Sequence, residues 1–398
     1  MSLITETLDR FAAPERRTMG VACGAHVLHD GYTDLLYVLL PVWQAEFGLG
    51  YAEIGLLRAF YVGAMAGFQV PAGLIAERFG GPLILGLGTA LAGIGYLVAG
   101  ASVGFAMLIG ALILGGLGSA VQHPIAAHLV SQAFSGQRSR IALAGYNFSG
   151  DLGKMAFPAA TALLLTLMPW RTATMTIGVV GLVAAVAILA VRGGLPSHGA
   201  QPEAAAGSPV IVGPPQSGRG FPLLLAIAMI DSATRMGFLT FLPFLLKEKG
   251  ADLPMIGIAL TLIFAGGAAG KLVCGWLGAR LGVVRATFVT EGLTAAGILM
   301  LLPLPLAPGL TVLPLIGMAL NGTSSVLYGT VPELVAPERR QRAFSIFYTG
   351  GVGAGALAPV LYGLISDFAD VRTMMLLVAA VVLVTLPLAW RLGPHLRA

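Results

Sequence analysis

The stretch GLIAERFGG at residues 73–81 returns 202 positions later as GWLGARLGV at residues 275–283. The same offset relates Pro41 to Pro243. Because no gap is needed between these matches, a whole half of the chain is duplicated and not one motif. In a hydrophobic chain, a parallel repeat of this size predicts two helical bundles around a central site, which is the plan of a transporter.

The composition indicates that the solvent of this chain is lipid. Hydrophobic residues make up 57% of the 398 residues, charged residues make up only 10%, and the mean hydropathy is +0.87. A soluble chain of this length needs more charge on its surface. Apolar runs of about 20 residues, enough to cross ~30 Å of hydrocarbon, recur along nearly the whole length.

We therefore predict an all-α, polytopic membrane protein with about twelve transmembrane helices in two six-helix bundles related by pseudo-twofold symmetry. The predicted spans cover approximately residues 18–42, 53–76, 82–101, 105–131, 140–167, 171–191, 221–246, 254–279, 284–304, 309–333, 342–366 and 371–391.

One change in composition divides the chain. Residues 193–220 are rich in Gly, Pro, Ala and Ser, and nothing in them can pack a core. We expect a flexible cytoplasmic linker there, between an N-terminal bundle at residues 1–192 and a C-terminal bundle at residues 221–398.

The basic residues predict the orientation. If both termini lie in the cytoplasm, fifteen arginines fall on the cytoplasmic side. The four basic residues on the opposite side are Arg171, Lys247, Lys249 and Arg372. This bias favours a multi-pass protein of the inner (plasma) membrane with cytoplasmic termini. The net charge of +5 then reflects the positive-inside orientation and not a nucleic-acid surface, so we expect no nucleic-acid partner. We also expect a monomer in the bilayer.

The repeated stretch also carries a family resemblance. Two six-helix repeats, a central linker and GLIAERFGG together resemble the major facilitator superfamily, whose loop between the second and third helices reads roughly G-x-x-x-D-R-x-G-R/K-R/K. The matching positions are Gly73, Glu77, Arg78 and Gly80 in the first copy, and Gly275 and Arg280 in the second. The resemblance implies the fold of that family and a cytoplasmic gate at these residues, with Glu at the position of the usual Asp.

A finer resemblance is to the fosmidomycin-resistance branch of that family. The first helix of the branch carries H-x-x-x-D, which His26 and Asp30 match. A QxxxG leading into the loop is matched by Gln69 and Gly73, and G-L-G-S-x-x-x-H-P is matched by GLGSAVQHP, which contains His123. The branch implies a proton-coupled drug exporter.

The first predicted span is rich in titratable groups. A charge at the bilayer centre costs about 2.5–3.5 kcal/mol, so each such group needs a partner, a cavity or a task. The span holds His26, His29, Asp30 and Asp34, three of which follow one side of the helix. Two carboxylates one turn apart repel each other when both are ionised. We predict a proton pathway with Asp30 or Asp34 as the proton carrier; in the alternative, Asp34 pairs with Arg58.

Other predicted spans carry candidates for substrate binding. The guanidinium of Arg58 suits a carboxylate or phosphonate, although a structural ion pair is the alternative. Asp151 and Lys154, three residues apart, can neutralise each other, or the pair breaks when substrate or a proton binds. Tyr146 and Asn147 can supply polar contacts to a ligand.

The second half adds one more pair. Asp231 and Arg235 lie one turn apart in the seventh span, and we predict that they face the central cavity and take part in substrate binding or coupling. His123 in the fourth span is a proton-coupling candidate, with a structural hydrogen bond as the alternative. For Lys271 and Glu291 we predict a stabilising ion pair between adjacent helices.

These features predict a secondary transporter that works by alternating access. It would export a small anionic or zwitterionic organic compound in exchange for protons. An uptake symporter that uses the same residues in the opposite direction is the alternative, since nothing in the sequence fixes direction. A receptor or scaffold without transport would leave so many intramembrane charges without a purpose. Because no metal-ligand spacing, nucleophile elbow or phosphate loop is present, we expect no cofactor, metal site or catalytic centre.

Overall fold

The computed structural model describes residues 12–196 and 220–396, and all regular elements in these ranges are helical. The α-helices are α1 (Ala13–Phe47), α2 (Tyr51–Phe79), α3 (Gly81–Gly100), α4 (Phe105–Ser119), α5 (Gln122–Ala133), α6 (Gly136–Leu167), α7 (Trp170–Val191), α8 (Gly220–Glu248), α9 (Leu253–Leu301), α10 (Leu306–Leu334), α11 (Arg340–Phe368), α12 (Val371–Leu383) and α13 (Thr385–Leu392).

Most of these helices have the length and composition of membrane spans. Within the described ranges, nine are long and apolar enough to cross a bilayer, with α4–α5 and α12–α13 each counting as one. Two more, α1 with 35 residues and α6 with 32, are long enough but carry the intramembrane charges. Helix α9 has 49 residues, roughly 74 Å at 1.5 Å per residue, and is broken at Gly282, so it supplies two spans. The predicted all-α, polytopic fold is confirmed.

The internal repeat is visible in the backbone as well as in the sequence. Gly80, between α2 and α3, has φ of 94°, and Gly282, 202 positions later, has φ of 76°. Gly48 after α1 (φ 63°) and Gly250 after α8 (φ 89°) are related by the same offset. A side chain with a Cβ is strained at positive φ, so glycine is required at the same reversals of the chain in both copies.

Small residues hold neighbouring helices at close range. A Cβ on Gly95 of α3 would lie 2.6 Å from the backbone nitrogen of Gly115 on α4. A Cβ on Gly93 would lie 2.7 Å from the carbonyl oxygen of Gly178 on α7. Between lipid-embedded helices the hydrophobic effect contributes little, so this close backbone contact is what stabilises their association.

Contacts among the described residues divide the chain into two units. The first unit contains residues 12–36 and 60–196, and the second unit contains residues 37–59 and 220–396. Each has its own apolar core, which includes Ile125 in the first unit and Leu327 in the second. The bundles at 1–192 and 221–398 stay a prediction, and most of the predicted linker at 193–220 lies outside the described residues.

Candidate proton and substrate site

Three side chains of the first unit meet at the carboxylate of Asp30. His26 Nε2 and Lys154 Nζ each lie 3.3 Å from Asp30 Oδ2, and His123 Nε2 lies 3.7 Å from Oδ1. The Asp30 side chain is only 10% exposed, whereas those of His123 and Lys154 are 43% and 30% exposed. We call these four residues, from α1, α5 and α6, the Asp30 cluster. Its carboxylate is buried but is reached through its exposed partners.

One backbone contact fixes the tautomer of His26. The Nδ1 atom lies 2.8 Å from the carbonyl oxygen of Tyr146. Because a carbonyl oxygen only accepts hydrogen bonds, Nδ1 must carry the hydrogen, and in a neutral imidazole Nε2 then holds a lone pair. This lone pair faces Asp30 Oδ2 at 3.3 Å, so two acceptors oppose each other. A proton added between them turns this repulsion into a charge-assisted hydrogen bond.

Tyr146 lies behind His26 and orients it. The two rings stack with their centroids 4.2 Å apart. The Tyr146 hydroxyl accepts a hydrogen bond of 2.9 Å from Gln122, and its carbonyl accepts a second hydrogen bond, of 2.6 Å, from Ser149. Asn147, the other predicted polar contact on α6, has an exposed side chain. A direct contact of either residue with substrate stays a prediction.

Two glycines of α6 allow this helix to approach α1. A Cβ on Gly150 would lie 2.6 Å from both His26 Nε2 and Asp30 Oδ2. A Cβ on Gly153 would overlap the carbonyl oxygen of Val27. The cluster therefore depends on the absence of side chains at these two positions as much as on the titratable groups.

The remaining titratable residues predicted in the first half lie in different surroundings. Asp34 and Asp151 are both buried, with 6% and 7% exposure. His29 Nε2 lies 3.0 Å from the hydroxyl of Thr89, which donates its own hydrogen to the carbonyl of Leu85. His29 must therefore donate to Thr89, and it links α1 to α3 instead of joining the cluster.

The structure brings Lys154 to Asp30, on another helix. The mutual pair of Asp151 and Lys154 stays a prediction. The ligand atoms of His26, Asp30 and His123 lie within 4.8 Å of one another, a spacing that suits a metal ion. Lys154 already supplies a positive charge to this carboxylate. A metal ion bound there would be repelled by this charge, and both the proton role of the cluster and the expected lack of a metal stay predictions.

Arg58 is enclosed in the second unit by an aromatic residue. It is 2% exposed, donates a hydrogen bond of 2.9 Å to the hydroxyl of Tyr37, and lies 4.5 Å from the centre of that ring. The Tyr37 hydroxyl lies 3.7 Å from the sulfur of Met236. A cation over the face of an aromatic ring is stabilised by the quadrupole of the ring. The alternative pairing of Arg58 with Asp34 stays a prediction. The predicted contact of Arg58 with substrate stays a prediction.

Asp231 and Arg235, the pair predicted in the seventh span, have a third buried neighbour that the spacing in the sequence did not indicate. The side chains of Asp231 on α8 and Glu291 on α9 are hydrogen bonded to each other, and they are only 3% and 1% exposed. Thr323 lies beside Glu291 but donates its hydroxyl hydrogen to Thr290 at 2.7 Å, and Arg235 donates to Ser324 at 3.4 Å. The ion pair predicted for Glu291 and Lys271 stays a prediction. The break at Gly282 sets the rotation of the second part of α9, and no helical period extends across it.

Asp367 is a further residue that the sequence did not single out. Its two carboxylate oxygens accept hydrogen bonds from the backbone nitrogens of Tyr51 (2.6 Å) and Ala52 (2.9 Å). The start of α2 is also marked by Glu53, which accepts a hydrogen bond from the nitrogen of Gly50. This local pattern is readable from the sequence, but a capping residue more than 300 positions away is not.

The predicted gate residues lie at the ends of helices. Glu77 and Arg78 are exposed, and Arg78 lies 5.5 Å from the ring of Phe79. Arg280, the repeat equivalent of Arg78, lies 5.0 Å from the ring of Trp276. A Cβ added to any of the motif glycines Gly73, Gly80 and Gly275 would meet no other atom within 4 Å. The gating role stays a prediction.

Comparison with known proteins agrees with this architecture. The family model of the Major Facilitator Superfamily matches residues 22–226 and 223–397. The Fosmidomycin resistance protein of Escherichia coli (strain K12) is 25% identical over 367 residues, which cover 89% of this chain and 87% of that protein. An MFS-type efflux pump of Mycolicibacterium smegmatis is 28% identical over 290 residues, covering 67% of this chain and 66% of that protein.

A solved structure shows the same fold. A bacterial homologue of the human lysosomal transporter Spinster, in an inward-facing and occupied conformation, superimposes with a TM-score of 0.80 at 15% identity. The match covers 98% of this chain and 100% of that one. The resemblance inferred from GLIAERFGG and from the repeat is thus confirmed. The chain belongs to the Major Facilitator Superfamily and is a multi-pass membrane transporter, not an enzyme.

Proposed function

We propose that this transporter exports a small anionic or zwitterionic organic compound from the cytoplasm in exchange for protons. It would work by alternating access, as a monomer of the inner membrane with both termini in the cytoplasm. The observation that carries the proposal is the Asp30 cluster, in which a buried carboxylate faces a histidine lone pair at 3.3 Å. The names of two relatives, a fosmidomycin resistance protein and an efflux pump, support the direction.

The proton step follows from the tautomer of His26. A proton that enters through the exposed side of His123 binds between His26 Nε2 and Asp30 Oδ2, where the two acceptors otherwise repel. The added charge weakens the attraction between Asp30 and Lys154. Protonation therefore rearranges the ion pairs of three helices at once, which a coupling site must do.

Antiport requires that proton and substrate compete. The ammonium group of a zwitterion can compete with the proton for Asp30, and its acidic group can approach Lys154. In this scheme the deprotonated cluster takes up the substrate on the cytoplasmic side. Protonation from the outer side then removes the negative charge that holds the ammonium group, and the substrate leaves.

The Lys154–Asp30 pair also favours one alternative. If an anion binds only after protonation of Asp30 has freed Lys154, proton and anion bind together. That order of binding gives uptake by symport. The two directions differ in cells: dissipating the proton gradient raises the accumulation of an exported compound and lowers that of an imported one.

The first experiment selects a probe and then tests Asp30. Purified protein is screened by thermal shift at two pH values against fosmidomycin, other phosphonates, organic acids and common antibiotics. The compound that stabilises it is then used in proteoliposomes with an imposed pH gradient. We expect Asp30→Asn to reduce gradient-driven transport to background, because an amide cannot take up the proton.

The matched control is Glu46→Gln, which makes the same chemical change at an exposed position of α1. It should transport like the unmodified protein. Both variants are first checked for an unchanged size-exclusion profile and melting temperature. Full gradient-driven transport by a folded Asp30→Asn protein would rule out Asp30 as the proton carrier.

A further inference from the structure

A second buried acidic pair lies in the second unit, formed by Asp231 and Glu291. A carboxylate has no hydrogen to donate, so a hydrogen bond between two carboxyl groups requires that one of them be protonated. Two ionised carboxylates in such contact, at 3% and 1% exposure, would repel each other in a medium of low dielectric constant. A single proton shared between the two carboxyl groups would remove this repulsion.

The charges around the pair balance when a single proton is present. Arg235, one turn beyond Asp231, supplies one positive charge, and the pair with one proton carries one negative charge. Cys274 on α9 and Thr323 on α10 also lie beside Glu291. The whole group is then neutral inside the membrane.

The other helices packed against α8 keep their charged residues at their ends. These residues are Arg340, Arg342 and Asp367 on α11, Glu333 on α10, Arg372 on α12 and Arg391 on α13. The titratable Tyr362 of α11 meets α8 at Gly237, beyond Arg235. Of the charged residues on α8 and on these helices, Arg235 of α8 is thus the one that lies beside the acidic pair.

The repeat supports this geometry independently. Asp231 and Glu291 correspond, 202 positions earlier, to His29 and Thr89, which are hydrogen bonded to each other in the first unit. The two halves therefore place a polar bridge at the same pair of positions. In the first half the bridge is a neutral histidine and a hydroxyl, whereas in the second it is two acids.

One oxygen of the pair is left without a partner. Among the described residues, Glu291 Oε1 is buried with no hydrogen-bond donor, and Arg235 Nε is buried with no acceptor. An unpaired acceptor buried in this way is a position at which a further proton can bind. The pair therefore has the capacity to change its protonation while the helices stay in place.

We propose that Asp231 and Glu291 share one proton, balanced by Arg235, and form a second proton-binding site of this transporter. Its use in transport rests on the proposed function: with the Asp30 cluster in one half and this pair in the other, each transport cycle would exchange two protons.

Infrared difference spectroscopy of the purified, lipid-reconstituted protein tests the site without a substrate. At neutral pH we expect the carbonyl stretch of a protonated carboxylic acid that is lost in Glu291→Gln and equally lost in Asp231→Asn, with no further loss in the double variant. Either single substitution leaves the other acid beside Arg235, where it ionises. Glu291→Gln keeps the size of the protonated acid, so its melting temperature should stay within a few degrees of the unmodified protein.

Two outcomes would overturn the site. If neither variant loses a band, both acids are ionised and no proton is shared. If each variant loses a separate band, two protons are bound and sharing is wrong. Lys271→Met is the matched control for the ion pair that the sequence suggested. The acid band should persist in it, and a new acid band in this variant would show that Lys271 keeps Glu291 ionised.

The transport consequence is measured separately, with a pH-sensitive dye inside proteoliposomes and the probe selected above. Glu291→Gln should halve the protons moved per substrate, whereas Asp30→Asn should stop gradient-driven transport. An acid band together with normal transport by Asp30→Asn would refute the proposed function and leave the proton site intact. Loss of transport in Asp30→Asn without any acid band would refute the proton site at Asp231 and Glu291 and leave the proposed function intact.

Discussion

At the scale of single residues, the neighbours of a side chain decide which proton it can hold. His26 is limited to one neutral tautomer by the carbonyl of Tyr146, and only for that reason does its lone pair face Asp30. His29, one turn away on the same helix, is fixed in the other tautomer by Thr89. His26 and His29 are only three positions apart, yet His26 faces the carboxylate of Asp30 and His29 links two helices.

The first prediction at this scale concerns Gly150. A methyl group there would lie 2.6 Å from His26 Nε2 and Asp30 Oδ2, so Gly150→Ala should push these two side chains apart. We expect a loss of about 1–3 kcal/mol in the free energy of unfolding, typical of overpacking, and a large drop in gradient-driven transport. Gly145→Ala on the same helix, where the nearest atom is 3.9 Å away, is the control. Equal behaviour of the two variants would contradict close packing at the cluster.

At the scale of elements, the two copies of the repeat place their helix ends at equivalent positions. The reversals at Gly80 and Gly282 turn the chain between consecutive spans in each copy, and both depend on a positive φ. In α9 the non-helical φ and ψ angles lie at this glycine. The break therefore directs the second part of the helix, including Glu291, towards α8.

Alanine at these positions should be costly. Gly80→Ala and Gly282→Ala place a Cβ on a left-handed backbone, so we expect each to lower the free energy of unfolding by about 1–2 kcal/mol. Gly292→Ala, on the helical part of α9 with no other atom within 4 Å of the added Cβ, should be neutral or stabilising by up to about 1 kcal/mol. Reversible unfolding in mixed micelles measures all three, and equal values would argue against strain.

At the scale of the whole molecule, distant segments are joined through helix ends. Asp367 at the end of α11 caps the first residues of α2, which lie more than 300 positions earlier. Helix-capping carboxylates are usually local, as Asp370 shows by accepting a hydrogen bond from the nitrogen of Thr373. That bond holds the pKa of Asp370 below its usual range. The long-range cap ties residues 37–59 into the second unit.

Removing this cap should have a recognisable signature. We expect Asp367→Ala to lower the free energy of unfolding by about 0.5–2 kcal/mol, as other lost N-caps do, and to increase hydrogen exchange at the amides of Tyr51 and Ala52. In Asp370→Ala, increased exchange should instead be confined to the start of α12. Hydrogen exchange with mass spectrometry distinguishes the two patterns, and unchanged exchange at residues 51–52 would refute the cap.

Much of the helical frame can be predicted from the amino-acid sequence. The spans, the all-helical class and the reversals near Gly80 and Gly282 follow from hydropathy and from the repeat. The candidate residues also lie in the helices to which hydropathy assigns them, since a charge in an apolar run is conspicuous. Their partners could not be predicted: Lys154 contacts Asp30 and not only residues of its own helix, and Glu291 contacts Asp231.

The sequence by itself determined that this chain is embedded in lipid, that it is built from a duplicated set of helices and that it belongs to a transporter family. These properties depend on composition and on periods along the chain, which determine how each segment meets the bilayer. Only the tertiary structure decided which charges meet. Pairing depends on how closely α6 approaches α1 at Gly150 and on how α9 turns at Gly282, and these are contacts between helices that no spacing within one helix can specify.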